Sequence, residues 1–345
     1  MKPVLPDKPD SRSPIHKAIG FGLIVISLFA GWLWMDYQSS IDDPVVSDGA
    51  VYLEIEKGDT FNSIVARLQA KGVAIRPFWF KLLAYRQVVV NKLKAGEYEL
   101  PPGSTAGQLL QLFVAGKSRQ YSITIPEGWT FRQMLELIAN DPQITHTLGN
   151  LDGAAIMAEL AVPEKHPEGL FFPDTYFFEK NTSDLSLLRR AYDKMHNIIA
   201  EEWPKRDKGL PLETPYQALI LASIVEKETA DASERGLIAG VFIRRLQKGM
   251  LLQTDPTVIY GMGDGYQGNI RRKDLVAATP YNTYVIKGLP PTPICLPGLA
   301  AIRAVLHPQP GSSLYFVARG DGRHVFSTTL SEHNRAVDRF QRKKP

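Results

Sequence analysis

The chain has 345 residues, 44% of them hydrophobic and 22% charged, with a net charge of +4. That length and apolar content suit two or more folded domains, and the weak charge without a long basic block argues against a nucleic-acid partner. A single cysteine, Cys295, excludes an intrachain disulfide, and the histidines show no HExxH-type spacing, so no metal and no cofactor is expected.

Residues 18–35, AIGFGLIVISLFAGWLWM, form an uncharged apolar run. At about 1.5 Å per residue, such a helix just crosses a hydrocarbon core. Lys2, Lys8, Arg12 and Lys17 precede it, whereas Asp36, Asp42 and Asp43 follow. The positive-inside rule makes residues 1–17 a cytoplasmic tail and puts everything after the span on the far side. Trp32 and Trp34 suit the far interface, and Trp-Leu-Trp-Met is a poor cleavage context for a signal peptide. Residues 36–50 are polar and acidic and read as a linker.

One local order then recurs: a strand, a turn containing glycine, a threonine and an amphipathic helix. It appears in VYLEIEKGDTFNSIVARLQAKG, in GEYELPPGSTAGQLLQLFVAGK and in YSITIPEGWTFRQMLELIAN. Thr60, Thr105 and Thr130 are placed to cap the helices. The irregular spacing of Gly58, Gly103 and Gly128 excludes a solenoid and favours small α+β modules. The opening Lys-Gly-Asp-Thr unit resembles a LysM module, a small βααβ fold that binds peptidoglycan, over residues 51–118. Residues 119–164 read as a connecting α+β segment.

From residue 165 the texture changes. EGLFFPDTYFF is aromatic and strand-like, and residues 185–203 form an amphipathic helix. Thr214-Pro215-Tyr216-Gln217 is a capping box with proline at the first helical position. From Ala218 to Val225 only Ser223 is polar, so this helix is expected to be buried on all sides. It ends in Glu226-Lys227-Glu228. Burial and the negative end of the helix dipole both raise a carboxyl pKa, which suits a proton donor near neutral pH. The two glutamates point about 160° apart on a regular helix, so one substrate cannot face both. The helix argument does not choose between them.

After a further helix over residues 233–248 the chain is rich in loops, with strands near 314–318 and 324–327 and a terminal helix from about residue 331. His333 reads as structural or surface. Gln253, Asp255, Tyr260, Tyr281, Asn282 and Tyr284 combine amides, hydroxyls and aromatic rings in those loops. That mixture suits sugars, so these are the candidate substrate-binding residues. Hydrolysis of a glycosidic bond needs a second carboxylate, for which Glu168, Asp174 and Asp255 are available. A lytic transglycosylase needs one carboxyl, acting first as acid and then as base.

The segments FFPDTY, LASIVEKETADASER, VFIRRLQKGMLLQTDPTVIYGMG, TPYNTY, GLPPTPICLPG and HVFSTTLSEHN resemble the membrane-anchored endolytic murein transglycosylases, the YceG-like family. The resemblance spans nearly the whole chain. It implies cleavage of nascent peptidoglycan strands to leave 1,6-anhydro-N-acetylmuramic acid ends, with the first glutamate of Val-Glu-Lys-Glu-Thr, Glu226, as catalytic residue. The expected architecture is therefore α+β: an N-terminal transmembrane helix, a LysM-like βααβ module and a separate YceG-like catalytic domain over residues 165–345. Expected partners are glycan strands, the inner membrane and peptidoglycan synthases, with the catalytic domain in the periplasm. The competing expectation is a non-catalytic glycan-binding scaffold or an adaptor for the synthases.

Overall fold

A computed structural model describes residues 14–342 except 48, 150 and 164. Lys2, Lys8 and Arg12, on which the expected orientation of the anchor rests, lie outside the described residues. The chain divides into two units, Met1–Gln120 and Tyr121–Pro345.

The first unit opens with helix α1 (Pro14–Asp42), whose apolar window is unburied by protein and long enough to cross a membrane. The helix continues past Met35, through residues expected to form a linker. The physical reason is local: nothing between Asp36 and Asp43 forbids a helix, and the first proline after the span is Pro44. Strands β1 (Val51–Ile55) and β2 (Gly96–Leu100) pair antiparallel, from Val51 opposite Leu100 to Ile55 opposite Gly96. Between them lie α2 (Phe61–Ala70) and α3 (Pro77–Arg86), and α4 (Ala106–Ala115) follows. Thr60 caps α2 by accepting from the Ser63 N–H, and Thr105 with Gln108 forms a reciprocal capping box on α4. Leu53, Leu68, Phe80, Tyr98, Leu110 and Phe113 fill the core, and the Tyr98 hydroxyl donates to Lys94 O at 2.8 Å.

The second unit begins with β3 (Gln120–Thr124), α5 (Phe131–Ala139), β4 (Ile144–Thr145) and α6 (Gly153–Glu159). Thr130 and Gln133 form a second reciprocal box, on α5. Ile123, Phe131, Met134 and Ile156 share one core with Phe171, Leu188 and Leu221. Strand β5 (Thr175–Glu179) pairs with β3, and β6 (Thr182–Ser183) runs parallel to β4. Only the end of the aromatic stretch 168–178 is strand. Gly169 at φ 77° and Pro173 interrupt extended pairing, and Phe171 and Phe172 turn into the core instead.

Helices α7 (Asp184–Glu202), α8 (Pro215–Glu228), α9 (Arg235–Gln247), α10 (Asp255–Met262), α11 (Arg272–Leu275) and α12 (Leu299–Leu306) follow. The unit closes with the antiparallel hairpin β7 (Tyr315–Ala318) and β8 (His324–Ser327), then α13 (Leu330–Val337). Helix α8 is the axis of the unit. Every residue from Ala218 to Val225 is buried, and α9, α10 and α12 pack around it. Its one polar interior residue is fully used: Ser223 Oγ donates to Ile220 O at 2.7 Å and accepts from the Ile294 N–H at 2.9 Å. Thr214 caps the start by accepting from the Gln217 N–H at 3.2 Å. The Gln217 side chain reaches Glu213 N at 2.6 Å, one residue before the cap, so the box is displaced and not reciprocal.

Leu221 is fully buried in this axis. Truncating it leaves a cavity that neighbouring helices cannot close, so Leu221→Ala is expected to cost about 2–5 kcal/mol. Denaturant unfolding of the full-length protein in detergent checks this; a loss below about 1 kcal/mol would contradict the packing described.

Candidate functional site

The last turn of α8 carries both glutamates into different surroundings. Glu226 faces the turn at Glu127-Gly128 and the start of α12. Its Oε1 accepts from Arg235 Nη2 at 3.0 Å and its Oε2 from the Gly298 N–H at 3.0 Å. Burial pushes its pKa up from the ordinary carboxylate range, and the Gly298 N–H and Arg235 guanidinium pull it back. A Cβ at Gly298 would fall 1.8 Å from the Glu127 carboxylate, so a larger residue there would displace that side chain. Both Glu226 oxygens are thus committed to protein partners, in a clamp that joins α8, α9 and the start of α12.

Glu228 faces a polar cavity of about 520 Å³. Its carboxyl accepts from the Thr254 hydroxyl. Burial raises its pKa to about 7, with the Asp255 charge adding to the rise and the Thr254 hydroxyl, His324 and Arg245 opposing it. Around it the cavity brings together Arg245, Gln253, Asp255, Tyr284, Tyr315 and His324. Arg245 Nε donates to Leu314 O at 2.6 Å and its Nη1 to Leu252 O at 2.8 Å, so one guanidinium ties α9 to the chain entering β7 and to the loop after α9. Its guanidinium lies over the Tyr315 ring at 5.0 Å. His324 is held by Glu234, which accepts from its backbone N–H at 3.0 Å and lies 2.7 Å from Nδ1. A carboxylate only accepts, so the proton is assigned to Nδ1.

Three of the loop residues expected to bind substrate share this cavity: Gln253, Asp255 and Tyr284. Gln253 sits at φ 53°, a left-handed conformation uncommon for a residue with a side chain, and its N–H donates to Thr283 O at 3.1 Å. Asp255 accepts from the Tyr284 hydroxyl at 2.6 Å. The other expected residues are placed elsewhere. Asn282 is fully buried, and its Nδ2 donates to the carbonyls of Asp274, Leu275 and Ala277, while Oδ1 accepts from the Tyr284 N–H. It fastens the loop and has nothing left to offer a sugar. Tyr260 donates to Glu168 at 3.1 Å, Tyr281 bonds Thr292 at 2.8 Å, and their rings meet edge to face at 4.9 Å. Neither lines the Glu228 cavity.

The candidate second carboxylates also separate. Glu168 is buried, accepts from the Phe131 N–H at 2.9 Å at the start of α5, and is pushed by burial to about 7. Asp174 pairs with Lys194, which holds it below the ordinary range. Only Asp255 shares the cavity with Glu228.

His333 is neither plain core nor surface: it lines the cavity, stacks on Tyr315 at 5.3 Å, and its buried Nδ1 has no partner among the described residues. A second cavity of about 640 Å³ opens at the opposite end of α8, among Tyr192, Trp203, Pro215 and Tyr216. Its lining is mostly apolar and contains no carboxylate among the described residues.

Comparison with known proteins agrees with this architecture. The YceG-like family matches residues 53–339. The endolytic murein transglycosylase of Bacillus subtilis (strain 168) is 31% identical over 323 residues, covering 88% of this chain and 89% of that protein. The endolytic murein transglycosylase of Streptococcus pneumoniae serotype 2 (strain D39 / NCTC 7466) is 27% identical over 363 residues, and this chain spans 63% of its length. Among solved structures, a YceG-like protein from Listeria monocytogenes superposes with a TM-score of 0.54 at 33% identity, covering 84% of this chain and 99% of that one. Matched over most of its length by the family and by relatives in sequence and structure, the chain belongs to the YceG-like family.

Proposed function

We propose that this chain is a peptidoglycan lytic transglycosylase acting within glycan strands, with Glu228 as its acid. The observation that supports the residue assignment is the place of Glu228 on the wall of a polar cavity with Gln253, Asp255 and Tyr284, where burial pushes its carboxyl pKa up. The names of the relatives support the reaction class. In the reaction, the Glu228 carboxyl gives its proton to the glycosidic oxygen that follows N-acetylmuramic acid. The bond from that oxygen to the anomeric carbon breaks, and the sugar's own 6-hydroxyl oxygen attacks the anomeric carbon. The Glu228 carboxylate takes the hydroxyl proton and is restored to the acid. No water is consumed, and the new end is a 1,6-anhydro sugar. Gln253, Asp255 and Tyr284 hold the strand by hydrogen bonds, and Tyr315 offers a ring face. Glu226, which the family resemblance implies as the catalytic residue, is the alternative acid: burial raises its pKa as well, and each of its oxygens accepts only one bond, from Arg235 or from the Gly298 N–H.

Helix α1 serves as the membrane anchor, with the N-terminus cytoplasmic and both units periplasmic. The first unit acts as a LysM-like contact for glycan; its β–α–α–β order supports this. An anchored enzyme meets strands as they leave the synthases, so cutting there limits elongation. One observation favours a second reading. Asp255 shares the cavity, and its charge raises the Glu228 pKa, so a two-carboxylate hydrolysis has a candidate base.

Product mass separates the readings. Full-length protein in detergent, given uncrosslinked glycan strands, is expected to leave ends lighter by one water than hydrolysed ends. Glu228→Gln is expected to slow their formation by about 10²–10⁴-fold. Glu226→Gln is expected to keep the product while lowering the unfolding midpoint, since Arg235 loses its buried partner. The reverse pattern in the two variants would move the acid to Glu226. Reducing ends would mean hydrolysis through Asp255, and intact strands a binding scaffold.

The pH dependence follows from the same carboxyl. The acid form is full below neutrality, so the rate is expected to fall as pH rises through about 7. Stability moves with it: the folded pKa of Glu228 is raised from 4.5 to about 7, so its contribution is complete below 4.5 and lost as pH rises through about 7. Thermal unfolding of Glu228→Gln is therefore expected to exceed wild type on the alkaline side only. A difference that is constant across the pH range would contradict the raised pKa.

A further inference from the structure

Helix α3 reads PFWFKLLAYR, with Lys81 and Arg86 as its only charges. One face, Phe80, Leu83 and Ala84, is buried in the core of the first unit. The other is apolar as well. Phe78, Leu82 and Tyr85 recur at i, i+4 and i+7 and are 71%, 43% and 59% exposed. Val88, just beyond the helix, is 71% exposed and held at φ 56°, where a β-branched residue is an outlier. A continuous apolar strip of this kind, left in water, forgoes about 25 cal/mol for each Å² that a covering apolar medium would bury.

What adjoins the strip is helix α1. Trp79 Nε1 donates to the Asp36 carboxylate at 2.7 Å, and Arg76 pairs with the same carboxylate. Arg86 Nη1 donates to the Tyr37 hydroxyl at 3.1 Å, and the Tyr37 and Trp79 rings meet edge to face at 5.4 Å. Between the helices runs an apolar groove of about 670 Å³, with Ala30, Leu33 and Trp34 on one wall and Trp79, Leu82 and Tyr85 on the other. Asp36 marks the end of the uncharged run, and Ala30 lies six residues inside it. Six residues of helix span about 9 Å. Helix α3 therefore lies beside the last 9 Å or so of the segment that crosses the bilayer. Amphipathic helices at membrane interfaces bury their apolar face by about 5–10 Å.

We infer that α3 is seated in the lipid interface, with acyl chains covering Phe78, Leu82, Tyr85 and the groove beside α1. Arg76 and Arg86 stand at headgroup height, and Trp79 and Tyr37 occupy the aromatic belt. The first unit is then fixed to the bilayer along two helices and cannot swing freely on a single anchor. The inference rests on α1 crossing the membrane and is independent of the catalytic assignment.

Spin labels test it. Full-length protein carrying Phe78→Cys, Leu82→Cys or Tyr85→Cys is placed in nanodiscs of phosphatidylethanolamine and phosphatidylglycerol. Collision with oxygen, which concentrates in lipid, is compared with collision with a water-soluble nickel chelate. Phe29→Cys within the span is the lipid reference, and Lys57→Cys, exposed on the turn after β1, is the water reference. The native Cys295 is buried and serves as the background control. The three α3 labels are expected to show an oxygen-to-nickel ratio several-fold above that at position 57, approaching that at 29. A ratio equal to that at position 57 means water and overturns the inference; shielding from both reagents means a protein covers the face and overturns it equally. Photoactivated phospholipid probes on the unmodified protein give a second readout that needs no variant. Label on peptides containing α3 is expected, and label confined to α1 would contradict the seat.

Discussion

Helix α8 is apolar on every side, and α9, α10 and α12 pack around it. A rod with no solvent face can carry carboxylates only where it ends, and the end it uses is the negative pole of its own dipole. This constraint shapes the second unit. A carboxylate there must either be neutralised by a partner or keep its proton. At Glu226 the Arg235 guanidinium and the Gly298 N–H on its two oxygens offset part of the rise that burial imposes, and Glu228 lies in a cavity where burial lifts it to about 7. Two residues apart on one helix, the two glutamates have different surroundings because the helix turns them toward different neighbours.

Holding Glu228 at the cavity wall depends on buried polar bonds that belong to no regular element. Thr254, Thr257 and Thr283 form a closed set, with Thr257 Oγ1 donating to Thr254 O at 2.7 Å and lying 2.8 Å from Thr283 Oγ1. Asn282 closes the same loop through three carbonyls. Each such bond contributes about 1 kcal/mol net, but leaving any of these groups unpaired in the interior costs more. The loop is therefore rigid where its sequence looks permissive. It presents Gln253, Asp255 and Tyr284 to the cavity and keeps Asn282 for itself.

Local signals in the sequence were reliable where local physics decides. Thr60, Thr105 and Thr130 cap their helices as their spacing suggests, and α8 is buried as its composition demands. The apolar run marks the membrane-spanning part of α1 but not its helical end, because hydropathy measures solvent and not backbone. The site was legible only in part. Tyr260, Tyr281 and Asn282 share the chemistry of sugar-binding residues, yet their polar tips find partners inside the protein. The cavity walls contributed by Arg245, Tyr315, His324 and His333 come from α9, the β7–β8 hairpin and α13, brought together by tertiary packing. Nothing in their local spacing announces that meeting. The choice between Glu226 and Glu228 likewise rests on Arg235 and Gly298, the latter 72 residues from Glu226.

The central claim is that Glu228 holds a proton near neutrality. Infrared difference spectroscopy, wild type minus Glu228→Gln across a pH series, reads it directly. A protonated-carboxyl band lost as pH rises through about 7 is the expected result. A band already absent by about pH 5, the ordinary range for an exposed glutamate, would contradict the account and leave the cavity without its acid.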